Sequence, residues 1–162
     1  MKQAKIVRKD KMARESKIVK DDKILKDVKV IREVSFYYAL VGALFLGLAP
    51  QFLGYMFPIL FILPIYLGLT GIKSRKKVGY YIAMGLVPLS TSVAVLWIRY
   101  VYSIKENFKG EFLSIASKFS IDISMIKTIT FIGTVFSFIL LILAIILFVK
   151  LIKNRQVFVN YK

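Results

Sequence analysis

The sequence predicts an all-α fold, a polytopic integral membrane helical bundle of about four transmembrane helices behind a charged cytoplasmic N-terminal tail. Three observations predict it. The 162 residues are 57% hydrophobic with a mean hydropathy of +0.67, yet they carry 25 Lys and Arg against 9 Asp and Glu. That combination suits a chain whose apolar stretches lie in lipid while its charges collect at the flanks. No Asp, Glu, Lys or Arg occurs in 34–72, 78–98 or 128–149, and a hydrocarbon core of about 30 Å asks for about 20 apolar residues per helix. The cations are also lopsided: 12 in 1–33, 4 in 73–77 and 4 in 150–162, against 5 in 99–127. With four spans the first three regions share a side, and the positive-inside rule makes that side the cytoplasm.

The tail, 1–33, repeats in blocks of six: KIVRKD, KMARES, KIVKDD, KILKDV, KVIREV over 5–34. A step of six carries the apolar pair about 120° short of two helical turns, so the pairs wander around a helix and form no stripe. The expectation is a solvated, partly helical tail supported by the i,i+4 pairs Lys11–Glu15, Lys17–Asp21, Lys23–Asp27 and Lys29–Glu33. A left-handed β-helix also has a six-residue period, but five blocks give too few stacked coils for a core.

The run 34–72 is long enough for two short crossings, 34–49 and 52–72, broken at LAPQFLG by Pro50 and Gly54. A re-entrant hairpin is the alternative. A basic cytoplasmic turn at 73–77 leads to a third span, 78–101, in which Pro88 predicts a kink and Ser90, Thr91 and Ser92 are placed to bond the freed carbonyls. Trp97, Tyr100 and Tyr102 beside Arg99 read as an aromatic belt with a snorkelling cation. Residues 102–127 form an outer amphipathic segment, with Phe108, Phe112, Ile115 and Phe119 on one helical face. The fourth span is 128–149, followed by a cytoplasmic tail, 150–162.

The chain has no Cys and no His, which removes disulfides, thiolate or imidazole metal sites, and Cys or His nucleophiles. The spans hold no carboxylate pair or Ser–Lys dyad, and Ser90 and Ser137 read as packing hydroxyls. The sequence thus nominates no catalytic, cofactor or metal residue. The candidate contacts to anionic lipid or a protein partner are Lys5, Arg8, Lys11, Arg14, Lys17, Lys20, Lys23, Lys26, Lys29, Arg32, Lys73, Arg75, Lys76 and Lys77. Small residues four apart, Ser35, Ala39, Ala43 and Gly47, with Gly79 and Ala83, predict close helix packing. The functional expectation is a non-enzymatic accessory, scaffold or regulatory subunit of the cell membrane, touching membrane lipids and a protein partner or second copy. A small oligomeric channel ranks second. Contact with nucleic acid or the ribosome ranks last, because no aromatic residue precedes Phe36 to stack on bases.

Overall fold

A computed structural model describes residues 2–54, 56–119 and 122–159, with side chains for residue 22 and for 24–54, 56–117 and 122–158. The helices are α1 (Lys2–Leu48), α2 (Pro50–Leu53), α3 (Met56–Lys73), α4 (Lys77–Ile104), α5 (Phe108–Phe119), α6 (Ile123–Lys153) and α7 (Arg155–Val159). No strand occurs among the described residues. Four segments are long and apolar enough to cross a membrane: Ile24–Leu48, Met56–Lys73, Lys77–Ile104 and Ile123–Lys153.

Tail and first span form one helix, where the sequence suggested two elements meeting near residue 34. The reason is the absence of any Pro or Gly before Gly42, so nothing interrupts the backbone ladder until Pro50 removes a donor. Continuity also cures the shortness expected of 34–49. At about 1.5 Å per residue, the span from Ile24 is about 37 Å long.

Beyond Pro50, Gly54 takes φ +75°, a left-handed conformation that a side chain disfavours, and the chain reverses. Helix α3 then retraces α1. Phe61 meets Phe45 edge to face at 5.4 Å, Ile65 lies against Gly42, Gly68 sits beneath the Tyr38 ring, and Arg75 reaches Asp27. This is a full antiparallel return along the first span, longer than a re-entrant hairpin needs. In the same way α4 runs antiparallel to α3, and α6 runs antiparallel to α4 and α1. The result is an up-down-up-down bundle whose tail end carries α1's charged stretch, the α3–α4 turn and α7. Its loop end carries α2 and α5.

The buried seam has a seven-residue rhythm. On α1 it is Val34, Tyr38, Val41, Phe45 and Leu48; on α4 it is Gly79, Ala83, Leu86, Ser90, Val93 and Trp97; on α6 it is Gly133, Ser137, Leu140, Ala144, Leu147 and Leu151. Alternating steps of three and four keep each helix's inner residues facing its partners, the geometry of left-handed bundles. The small-residue row on α1 follows a different geometry. A step of four turns about 40° beyond one revolution, so the row drifts off the seam: Ser35 is buried, whereas Ala39, Ala43 and Gly47 are exposed on the outside of the bundle. Gly79 and Ala83 are buried. A Cβ on Gly79 would overlap the backbone of Gly71, and one on Gly71 the backbone of Gly79.

Trp97 is not an interfacial anchor. It is 4% exposed, its ring lies on Gly133 and edge-on to Phe52 at 5.6 Å, and its Nε1 donates to the Leu48 carbonyl at 3.1 Å. That carbonyl is one of the orphan acceptors at the end of α1. The belt position belongs to Tyr102, which is exposed, with the Lys105 ammonium 4.0 Å from its ring centroid. Helix α4 passes through Pro88 as one element. Ser90 donates to the Leu86 and Val87 carbonyls, Thr91 to Val87 and Ser92 to Pro88. The acceptor that Pro88 frees belongs to Met84, a turn earlier, so these hydroxyls reinforce the turns flanking the proline.

Gly79→Leu is expected to destabilise the bundle by about 1–3 kcal/mol through overpacking against Gly71, read as a lower midpoint of thermal unfolding in detergent by circular dichroism. Gly47→Leu, with open space around it, is expected to change stability by less than about 0.5 kcal/mol. Trp97→Phe keeps the ring but strands the Leu48 carbonyl, and a loss of about 1 kcal/mol is expected in the same measurement.

Candidate functional site

The candidate site is the basic tail end of the bundle, and its shape begins with the turn KSRKK. Helix α3 ends in a Schellman arrangement: the Lys76 N–H donates to the Gly71 carbonyl at 2.8 Å and the Arg75 N–H to Ile72 at 3.1 Å. Such a closure puts one residue in the left-handed region. Here it is Arg75, with φ +54°, where glycine is the usual occupant because a Cβ costs about 1 kcal/mol or more. What Arg75 adds in return is reach. Its guanidinium stands 3.5 Å from the Asp27 carboxylate, with both side chains largely shielded from solvent, so the turn is tied to α1.

A second tie closes the other side. The Lys150 ammonium of α6 donates to Glu33 and lies 5.2 Å from the Tyr37 ring centroid. The expected local pair Lys29–Glu33 is thus replaced by one spanning 117 residues of sequence. Asp27 likewise meets Arg75; its expected partner Lys23 has a side chain outside the described residues. Both acids are used inside the fold, which leaves Lys26, Lys29, Arg32, Lys73, Lys76 and Lys77 exposed together with Lys153 and Arg155. Glu33 stays partly exposed and acts on Lys29 and Arg32 as well, and Asp22 is exposed. Lys5, Arg8, Lys11, Arg14, Lys17 and Lys20 lie on helical backbone, with side chains outside the described residues.

The C-terminal segment is also part of this end. Where the sequence suggested a plain tail, Phe158 of α7 is fully buried and stacks on Tyr80 at 6.1 Å. Between α1 and α3 the same end opens into a groove of about 470 Å³. Its lining runs from the cations Arg32 and Lys73 to the apolar Phe36, Ala39 and Leu69. Ser35 also lines it. The hydroxyls of Thr70 in α3, Ser90 and Thr91 in α4, and Thr130, Thr134 and Ser137 in α6 donate to a carbonyl three or four residues back, whereas the buried Ser35 Oγ, like the Tyr38 hydroxyl, has no hydrogen-bond partner among the described residues.

Chemically, the surface offers ammonium and guanidinium donors beside an apolar groove, a setting for phosphate or carboxylate on a molecule with an apolar body. No group of three or more His, Cys, Asp or Glu side chains suited to a metal occurs among the described residues. The Asp27–Arg75 and Glu33–Lys150 pairs and the Phe158 anchor are not legible in the sequence, because long-range pairings leave no local pattern; the hint is the short apolar run Val157, Phe158 and Val159 in the last segment.

Fold and site together define a four-helix membrane bundle with a basic end. Set against protein-family models, curated proteins and solved structures, the chain matches none.

Arg75→Gly and Arg75→Ala lose the same ion pair, but only glycine relieves the left-handed backbone. The glycine variant is expected to be more stable than the alanine variant by about 1 kcal/mol, checked by thermal unfolding of the two side by side.

Proposed function

We propose that this chain is a non-enzymatic multi-pass membrane protein, an accessory, scaffold or regulatory subunit, whose basic end holds anionic lipid headgroups or an acidic protein partner. The observation that carries this reading is the exposure of Lys26, Lys29, Arg32, Lys73, Lys76 and Lys77 around one end, where the nearby Asp27 and Glu33 pair with Arg75 and Lys150. Cations next to an anionic leaflet gain on the order of 1 kcal/mol each. The groove between Arg32 and Lys73 favours lipid as the first occupant, since its floor is apolar. By the positive-inside rule, the excess of 20 cations over 5 puts this end and both termini in the cytoplasm, and the cell membrane is the proposed location.

The test is the phospholipid that stays with the full chain through purification in mild detergent. Enrichment of anionic over zwitterionic phospholipid is expected. It should fall to the composition of the bulk membrane in a variant carrying Lys29→Gln, Arg32→Gln, Lys73→Gln and Lys76→Gln, and weaken as ionic strength rises. A stoichiometric acidic protein lost in the same variant would identify the partner form of this function. Retention of neither, with the variant indistinguishable from the parent chain, would contradict it.

A further inference from the structure

At the opposite, loop end the amphipathic helix α5 does not lie flush on the bundle. Phe112 anchors it against Ile104 and Ile126, and beside that anchor α5, α6 and Val101 of α4 enclose a cleft of about 1000 Å³, at the upper end of ligand pockets. From Ile123 to Thr134 its wall follows about three turns of α6, or about 16 Å along the helix axis. The wall changes character over that distance. Lys109 and Lys127 line the end nearest the loop, and Phe131 lies deeper, 70% exposed.

We infer that this cleft binds one anionic phospholipid of the leaflet at the loop end, its phosphate between Lys109 and Lys127 and an acyl chain along Phe131 and Thr134. Three features converge on that occupant. The hydroxyls of Thr128, Thr130 and Thr134 already donate to the carbonyls of Ser124, Ile126 and Thr130, so they offer a ligand only acceptor lone pairs. The lysine ammoniums are the charged donors, and no carboxylate is among the lining residues; the nearby Glu111 and Asp122 are exposed outside it. The first turns of α5 and α6 both border the cleft, where Glu111 and the N-cap Asp122 offset the positive ends of the two helix dipoles and leave the lysines as the source of positive charge. The charge is confined to the loop side of the cleft and the lining beyond Lys127 on α6 is uncharged, which matches a phospholipid with its head at the interface and its chain at depth. A soluble anion would use the lysines but leave the apolar wall empty. A protein helix would cover the wall without needing the cations.

The test places a benzophenone amino acid at Phe131 in the full chain, in vesicles of equimolar phosphatidylglycerol and phosphatidylcholine. Photolysis is expected to give phosphatidylglycerol adducts in at least about fivefold preference. Lys109→Gln with Lys127→Gln should bring the ratio close to one, while Arg32→Gln with Lys73→Gln should leave it unchanged. That last arm separates this cleft from the lipid-binding end proposed above. Equal adducts in the unmutated background would reduce the cleft to ordinary contact with bulk lipid and overturn the inference. So would adducts in native membranes dominated by a second copy of this chain or by another protein.

Discussion

The bundle depends on two glycines whose backbones touch. Gly71 near the end of α3 and Gly79 in the first turn of α4 approach so closely that neither has room for a Cβ. Between spans immersed in lipid there is little hydrophobic gain to hold helices together, because lipid chains are as apolar as leucine; close backbone approach and dispersion supply the attraction. This contact also closes the hairpin within a turn of a few residues. It aims Arg75 at Asp27 and sets α4 in the register that brings Trp97 to the end of α1.

From that register follow the two differently built ends. At the loop end Trp97 joins α4 to the Leu48 carbonyl and to Gly133 of α6, so one indole connects three spans. At the tail end the connection is ionic, through Asp27–Arg75 and Glu33–Lys150. Ion pairs of this partly exposed kind contribute little to stability, because solvent screens them. Their larger effect is geometric: they tie the α3–α4 turn and the end of α6 to α1, beside the exposed lysines and Arg32.

How far the sequence reveals this depends on which signal lipid leaves intact. Spans are legible because 34–72, 78–98 and 128–149 lack charge, and the Pro50 break because proline removes a backbone donor; of the expected α5 face, Phe112 and Ile115 pack inward, Phe108 is exposed, and the side chain of Phe119 lies outside the described residues. The inner faces are much harder to read. In a soluble helix the polar side marks the outside, but here the outward residues, such as Leu60 and Phe131, are as apolar as the inward Leu140 and Leu147. What survives is a rhythm of small and aromatic residues in steps of three and four. The row Ser35, Ala39, Ala43 and Gly47 suggested a packing face through its even step of four, and it fails beyond Ser35 because that step precesses away from the partner helices. At the basic end the lysines were legible as charge. That Glu33 belongs to Lys150, and Phe158 to Tyr80, emerges only when α6 and α7 have folded back.

Four antiparallel spans bring α1's charged stretch, the α3–α4 turn and α7 to one end of the bundle and α2 and α5 to the other, so the two sets face opposite sides of a membrane. The chain contains no cysteine, so single substitutions report without background. The most direct measurement is labelling by a membrane-impermeant maleimide, in sealed vesicles, of Ser74→Cys, Gln156→Cys, Gln51→Cys and Asn107→Cys. The antiparallel arrangement predicts that Ser74→Cys and Gln156→Cys react from one side and Gln51→Cys and Asn107→Cys only from the other. Labelling of Ser74→Cys and Asn107→Cys from the same side would contradict it.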